Sequence, residues 1–331
     1  MRELKIKKLG VEDPQPEVCL SDNAFKRAAR KHQSDFRWKY LQCGHDHNHK
    51  FGKYGAYLKW NDALSGKNFY APYWPIIEKK IQERYPESEK WQLAPIYANM
   101  LRSEHIPFNF FVPMQDDLEA ARKVFNEVLN GEFIQEILEI KIEYAPDKQY
   151  ALNDGTSFDT FVVYRHKDGK LGGIGIEIKY TEVGYLLKKG SKEERDIMNE
   201  ENKNYIIVTK ECGYYKKTIT NRPLHDTPLI KNDYRQIWRN HILGASMLEN
   251  KKIEYPLFHF NSVTIYPEGN THFAKVIPQY EEMLSDNGKN SFCGITYENF
   301  FHILGKYYFD LSRKLRYWIL YLQLRYEINN N

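Results

Sequence analysis

The chain has 331 residues, and its 48 lysines and arginines stand against 44 aspartates and glutamates for a net charge of +4; so mild a basicity permits a nucleic-acid partner without requiring one. A hydrophobic fraction of 42% with 28% charged residues excludes a disordered polymer, and no apolar run approaches the ~20 residues needed to cross a bilayer. Four scattered cysteines without a C-x-x-C pair (Cys19, Cys43, Cys212, Cys293) exclude a disulfide framework and a cysteine zinc site.

The N-terminus, "MRELKIKKLGVEDPQPE", lacks an apolar core segment, so no signal peptide and a cytoplasmic location are expected. Residues 1 to about 90 are polar and irregular. Within them "SDNAFKRAARKHQSDFRWKYLQ" has Phe25, Ala28 and Ala29 at helical spacing behind a cap at Ser21 or Asp22. "CGHDHNHKFG" places Cys43, His45, His47 and His49 at alternating positions, donors that suit zinc. No second pair of ligands accompanies them, so an ordinary polar loop is expected there.

A proline-interrupted helical stretch follows from Glu89 to Phe111, then the helix "DDLEAARKVFNEVLNG", with acids in its first turn and Gly131 as its C-cap. "FIQEILEIKIEYAP", "SFDTFVVYR" and "LGGIGIEIKY" read as three strands, the last two joined by the hairpin signal "HKDGK". "LLKKGSKEERDIMNEENKNY" reads as a solvated, mobile segment. A helix in "DYRQIWRNHILGASMLEN", a strand in "YPLFHFNSVTIYPEG" and one or two terminal helices complete the order. The aromatic fraction is 15%; interleaved with lysine and arginine, these rings serve either a core or a nucleic-acid groove.

The third strand carries Glu177 and Lys179 two residues apart, hence on one face. An ion pair needs nothing more, but a divalent-metal site needs a second carboxylate. Asp147 and Asp159 are the candidates. With Lys167, Asp168 and Gly169 as a three-residue loop, His166 opposes Lys170, and paired residue numbers sum to 336. Asp159 then falls opposite Glu177, with β-carbons ~5 Å apart, while Asp147 lies before the strand. A two-residue loop would put Asp159 on the other face, so the assignment hangs on the turn. Gly172, Gly173 and Gly175 mark a bulge or a close backbone approach, not a phosphate loop.

Asp159, Glu177 and Lys179, with "RSEHIPFNFF", "EYAPDKQY" and "YRQIWRNHIL" around them, resemble the PD-(D/E)xK nucleases over roughly Glu89 to Phe301. The resemblance implies an α/β restriction-endonuclease-like core of order αβββαβ, a mixed sheet flanked by helices, over residues 91–331. Residues 1–90 would be an N-terminal helical elaboration. It further implies a nuclease that uses Mg²⁺ or Mn²⁺ on DNA, in restriction, phage defence or repair; a homodimer is left open. An RNA-directed nuclease and a nucleic-acid-binding protein with a degenerate site are the alternatives. Asp159 and Glu177 would hold the metal with the backbone carbonyl of Ile178, and Lys179 would position water or neutralise the phosphate. Glu104, in the helix before the first strand, matches a further acidic position, and Gln236 the glutamine that orients the site. Glu182 is an additional candidate whose parity sets it off the Glu177 face.

Overall fold

The structure, a computed structural model, describes residues 16–46, 49–50, 52–184 and 186–328. Among them, one sheet holds five strands in sequence order: β1 (Ile134–Tyr144), β2 (Phe158–His166), β3 (Leu171–Ile178), β4 (His259–Tyr266) and β5 (Phe292–Thr296). β2 pairs antiparallel with both β1 and β3, and β4 and β5 add in parallel after helical crossovers.

Side-chain alternation divides the core into two layers. Val162, Tyr164, Ile174 and Ile176 face the helices Ile106–Phe111, Leu118–Val128, Tyr297–Tyr308 and Arg313–Tyr326. Phe161, Val163 and Phe260 face Arg235–Ser246 and Thr271–Glu281. The β3 glycines are there because aromatic rings occupy the space a β-carbon would need: Tyr164 over Gly172, Phe161 over Gly173 and Phe158 over Gly175. Of the two readings, close approach is the one observed.

The β2–β3 turn forms as expected. The His166 N–H donates to the Lys170 carbonyl at 2.9 Å, and Gly169 takes a φ of +83°. Thr160 faces Ile176 and Arg165 faces Leu171, so paired numbers sum to 336.

Elsewhere the chain departs from its sequence pattern. Asn23, not Ser21 or Asp22, caps the Ala24–Phe36 helix by accepting the Lys26 N–H at 2.8 Å. The stretch before Phe111 breaks into short pieces, Ala94–Tyr97 and Ile106–Phe111, because Pro95 and Pro107 each start a helix rather than continue one. Asn130, at φ +50°, takes the left-handed position after Leu118–Val128 that Gly131 was expected to fill. β5 had no legible pattern. The lysine- and glutamate-rich segment folds into Lys192–Met198 and Lys203–Glu211, since Ile197 and Tyr205 anchor it to the core.

Residues before 90 share their core with the rest of the chain: Phe25, Tyr73 and Ile77 belong to the same layer as Ile178, Trp318 and Tyr326. Gln33 donates to the Tyr180 hydroxyl at 2.8 Å and the Arg325 carbonyl at 2.7 Å. Limited trypsinolysis should therefore cut first at Lys188 or Lys189, exposed and outside any helix. Release of two stable pieces near residue 90 would instead show that the N-terminal part folds independently.

Candidate active site

The register that sets Asp159 level with Glu177 also sets Glu143 level with Asp159, since Ile142 faces Thr160 and Tyr144 faces Phe158. Three carboxylates thus lie in one row across β1, β2 and β3. Glu143 adopts a φ of +55°, a conformation rare for a non-glycine residue and a mark of local strain.

Asp159 accepts the Ile178 N–H at 2.6 Å and lines a polar cavity of about 220 Å³ with Glu177, Gln236, Arg239 and Asn240. Glu177 and Lys179 are 8% and 4% exposed, too buried for an ordinary surface ion pair. The Lys179 ammonium donates to one Glu177 oxygen and, at 2.5 Å, to the Gln236 side-chain carbonyl; the Asn240 amide donates to the other Glu177 oxygen. Backbone bonds fix Lys179 as well. Its N–H reaches the Ile265 carbonyl at 2.9 Å, and its carbonyl accepts the Tyr297 hydroxyl at 2.7 Å. Arg239 closes the cavity wall by donating to Asp154 at 2.6 Å, Thr156 at 2.5 Å and Glu193 at 3.0 Å.

The electrostatics follow from this crowding. Burial, then the charges of Glu177 and Glu143, push the Asp159 carboxyl well above its ordinary range against the pull of Lys179. Burial raises Glu143 to about 7, opposed by Arg84 and reinforced by Glu177 and Glu104. Burial alone would lower the Lys179 ammonium, but Glu177 and Asp159 outweigh it and hold the pKa above normal. The row is short of positive charge.

A raised carboxyl pKa means the folded state keeps a proton that the unfolded state releases, so stability falls as pH rises. In metal-free protein the Glu143 contribution should be lost between about pH 4.5 and about pH 7, on the order of 3 kcal/mol. Urea melts of Glu143→Gln across that window should be flatter by this amount; parallel curves would place Glu143 outside the row's influence.

Of the residues singled out in the sequence, Asp159, Glu177, Lys179 and Gln236 converge. Glu104 does not join them. It lies in a turn ahead of Ile106–Phe111 rather than in a helix, because Pro107 starts that helix, and it pairs with Arg102 at 2.9 Å. Its charge nevertheless reaches the row at Glu143. Glu182 accepts the Tyr180 N–H at 2.7 Å and the Ser103 N–H at 3.0 Å, tying the end of β3 to that turn. Asp147 is exposed and caps a turn by accepting the Gln149 N–H at 2.9 Å. Glu143, Asn240 and Arg239 were missed. Asn240 was findable, four residues after Gln236 and so on the same helix face.

In the other candidate stretch, the buried His45 lies 3.3 Å from the Arg37 guanidinium, a cation that disfavours a metal there, and His49 stacks on Tyr57. His47 lies outside the described residues. Among the described residues, no group of three metal-ligating side chains forms around Cys43.

A mixed five-stranded sheet flanked by helices, with an acid on its second strand and E-x-K at the end of its third, is the arrangement of a restriction-endonuclease-like α/β fold. The chain belongs to the PD-(D/E)XK nuclease superfamily, whose family model matches residues 20–327, nearly its whole length. No curated protein and no solved structure matches it significantly. No described helix is long and apolar enough to cross a membrane.

Proposed function

We propose that the chain is a deoxyribonuclease dependent on Mg²⁺ or Mn²⁺, serving restriction, phage defence or repair. The observation that carries the proposal is the carboxylate row of Glu143, Asp159 and Glu177 beside a buried Lys179, with Asp159 and Glu177 lining a polar cavity.

The residues fit a divalent ion. Their donors are hard oxygens, as Mg²⁺ and Mn²⁺ prefer, and burial with mutual repulsion, which a bound cation would relieve, makes Asp159 and Glu143 hold protons abnormally well despite Lys179 and Arg84. Asp159, Glu177 and the Ile178 carbonyl would hold the ion, which supplies Lewis-acid activation of the phosphodiester and of water. The chain's own groups do the positioning. Asn240 and Lys179 leave the Glu177 carboxylate one orientation, and Gln236 keeps the Lys179 ammonium from swinging away. Held as a cation, Lys179 is suited to neutralising charge that builds on the phosphate. The presence of these groups together favours an enzyme over a binding protein with a degenerate site.

Incubation with single-stranded, duplex and branched DNA and with RNA tests the proposal. DNA cleavage that needs Mg²⁺ or Mn²⁺ and stops in EDTA is expected. Cleavage of RNA alone would reassign the substrate, and salt-sensitive binding without cleavage would favour the binding protein.

A further inference from the structure

At the other end of the β2–β3 hairpin, three side chains that take no part in the proposed reaction come together. His166 ends β2, Asp168 sits in the turn and His259 opens β4. Their placement is rigid: the turn closes on the His166 N–H at 2.9 Å, and parallel pairing sets His259 level with Gly172. His166 Nδ1 lies 2.9 Å from one Asp168 oxygen and His259 Nε2 2.8 Å from the other. The donor atom that each residue offers lies within 4.8 Å of the others. The Lys170 N–H, donating at 3.0 Å, orients the Asp168 carboxylate from behind.

A second observation points the same way. The two histidines line a cavity of about 380 Å³ together with Tyr164, Tyr214 and Asn261. Tyr164 is fully buried, and its hydroxyl has no hydrogen-bond partner in the protein. A buried polar atom beside a cavity normally meets a ligand or water.

Two imidazoles and a carboxylate are the donors of a first-row transition ion, whereas Mg²⁺ prefers oxygen throughout. We propose that His166, Asp168 and His259 form a second metal site, selective for Zn²⁺-like ions, with its open coordination position toward the cavity. The imidazoles stack at 3.8 Å between centroids and must fan apart to share one ion. The His259 side chain, 33% exposed, has room to turn. Bound metal would staple the hairpin turn to the start of β4, which nothing local in the sequence joins.

The test uses the full chain, stripped with EDTA, carrying Asp159→Asn so that the acidic row competes less for the ion. Calorimetric titration with ZnCl₂ should show one equivalent bound, Zn²⁺ should raise the melting temperature, and Mg²⁺ at the same concentration should give no heat from this site. Asp168→Ala and His259→Gln, each added to that background, should weaken Zn²⁺ binding at least ~10-fold, the loss that follows removal even of a group behind the ligands. Asp168 sits in an exposed turn, so unchanged circular dichroism should confirm that Asp168→Ala still folds. The absence of Zn²⁺ binding would overturn the proposal, leaving the histidines as plain hydrogen-bond partners of Asp168. Binding of equal strength in both variants would overturn it as well. Neither readout depends on nuclease activity.

Discussion

Lys179→Ala should lower metal-dependent cleavage by about 10²- to 10⁴-fold, the range lost with a group that transfers protons or stabilises charge in the transition state, while nucleic-acid binding persists. The lysine is 4% exposed and bound by Glu177 and Gln236, so it already stands where charge develops and need not be recruited there. Removing it also leaves the buried Glu177 with Asn240 as its remaining side-chain donor. Breaking a buried pair from one side costs roughly 3–5 kcal/mol, so the variant should melt earlier, and its assay belongs well below its melting temperature. Gln236→Ala provides the gradation. It frees the ammonium without deleting it and should reduce cleavage less than Lys179→Ala does. Cleavage by Lys179→Ala within a few-fold of wild type would remove the lysine from the reaction.

The second large effect concerns metal and stability. Asp159 repels Glu177 and Glu143, and an ion that binds the folded state alone both relieves that repulsion and stabilises by mass action. At about 100 times its dissociation constant this amounts to ~2.7 kcal/mol, or on the order of 5 °C for a chain of this size. Wild type should show that rise with Mg²⁺ or Mn²⁺, and Asp159→Asn should not. Without metal, Asp159→Asn should be neutral or slightly stabilising. The asparagine oxygen can still accept the Ile178 N–H, and a like-charge contact is gone. An undiminished rise in the variant would mean that the ion binds elsewhere.

What the sequence disclosed of this site was carried by one turn. Asp168–Gly169 specifies its own geometry locally, and from it the whole β2–β3 register follows, including Asp159 opposite Glu177. Glu143 was illegible for the opposite reason. Residues 145–157 join β1 to β2 without a tight turn, and register shifts at Ile134/Glu136 and Ile137/Glu139 break the alternation of β1. His259 meets His166 only through the parallel β3–β4 pairing, which no local pattern encodes. The lysine- and glutamate-rich segment misled because its composition is that of a solvated chain, yet Ile197 and Tyr205 suffice to bury one side of each helix. Glu104 was placed in a helix that starts only at Ile106, with Pro107 in its first turn, and so does not include it.

The central claim is that Asp159, rather than the aspartate of the literal Pro-Asp pair at Asp147, supplies the second carboxylate of the site. Its most direct test is Mg²⁺-dependent DNA cleavage by Asp159→Asn and Asp147→Asn, measured side by side with wild type. Asp159→Asn should lose cleavage, and Asp147→Asn should retain it, because Asp147 is exposed and engaged with the Gln149 N–H. An inactive Asp147→Asn beside an active Asp159→Asn would contradict the account.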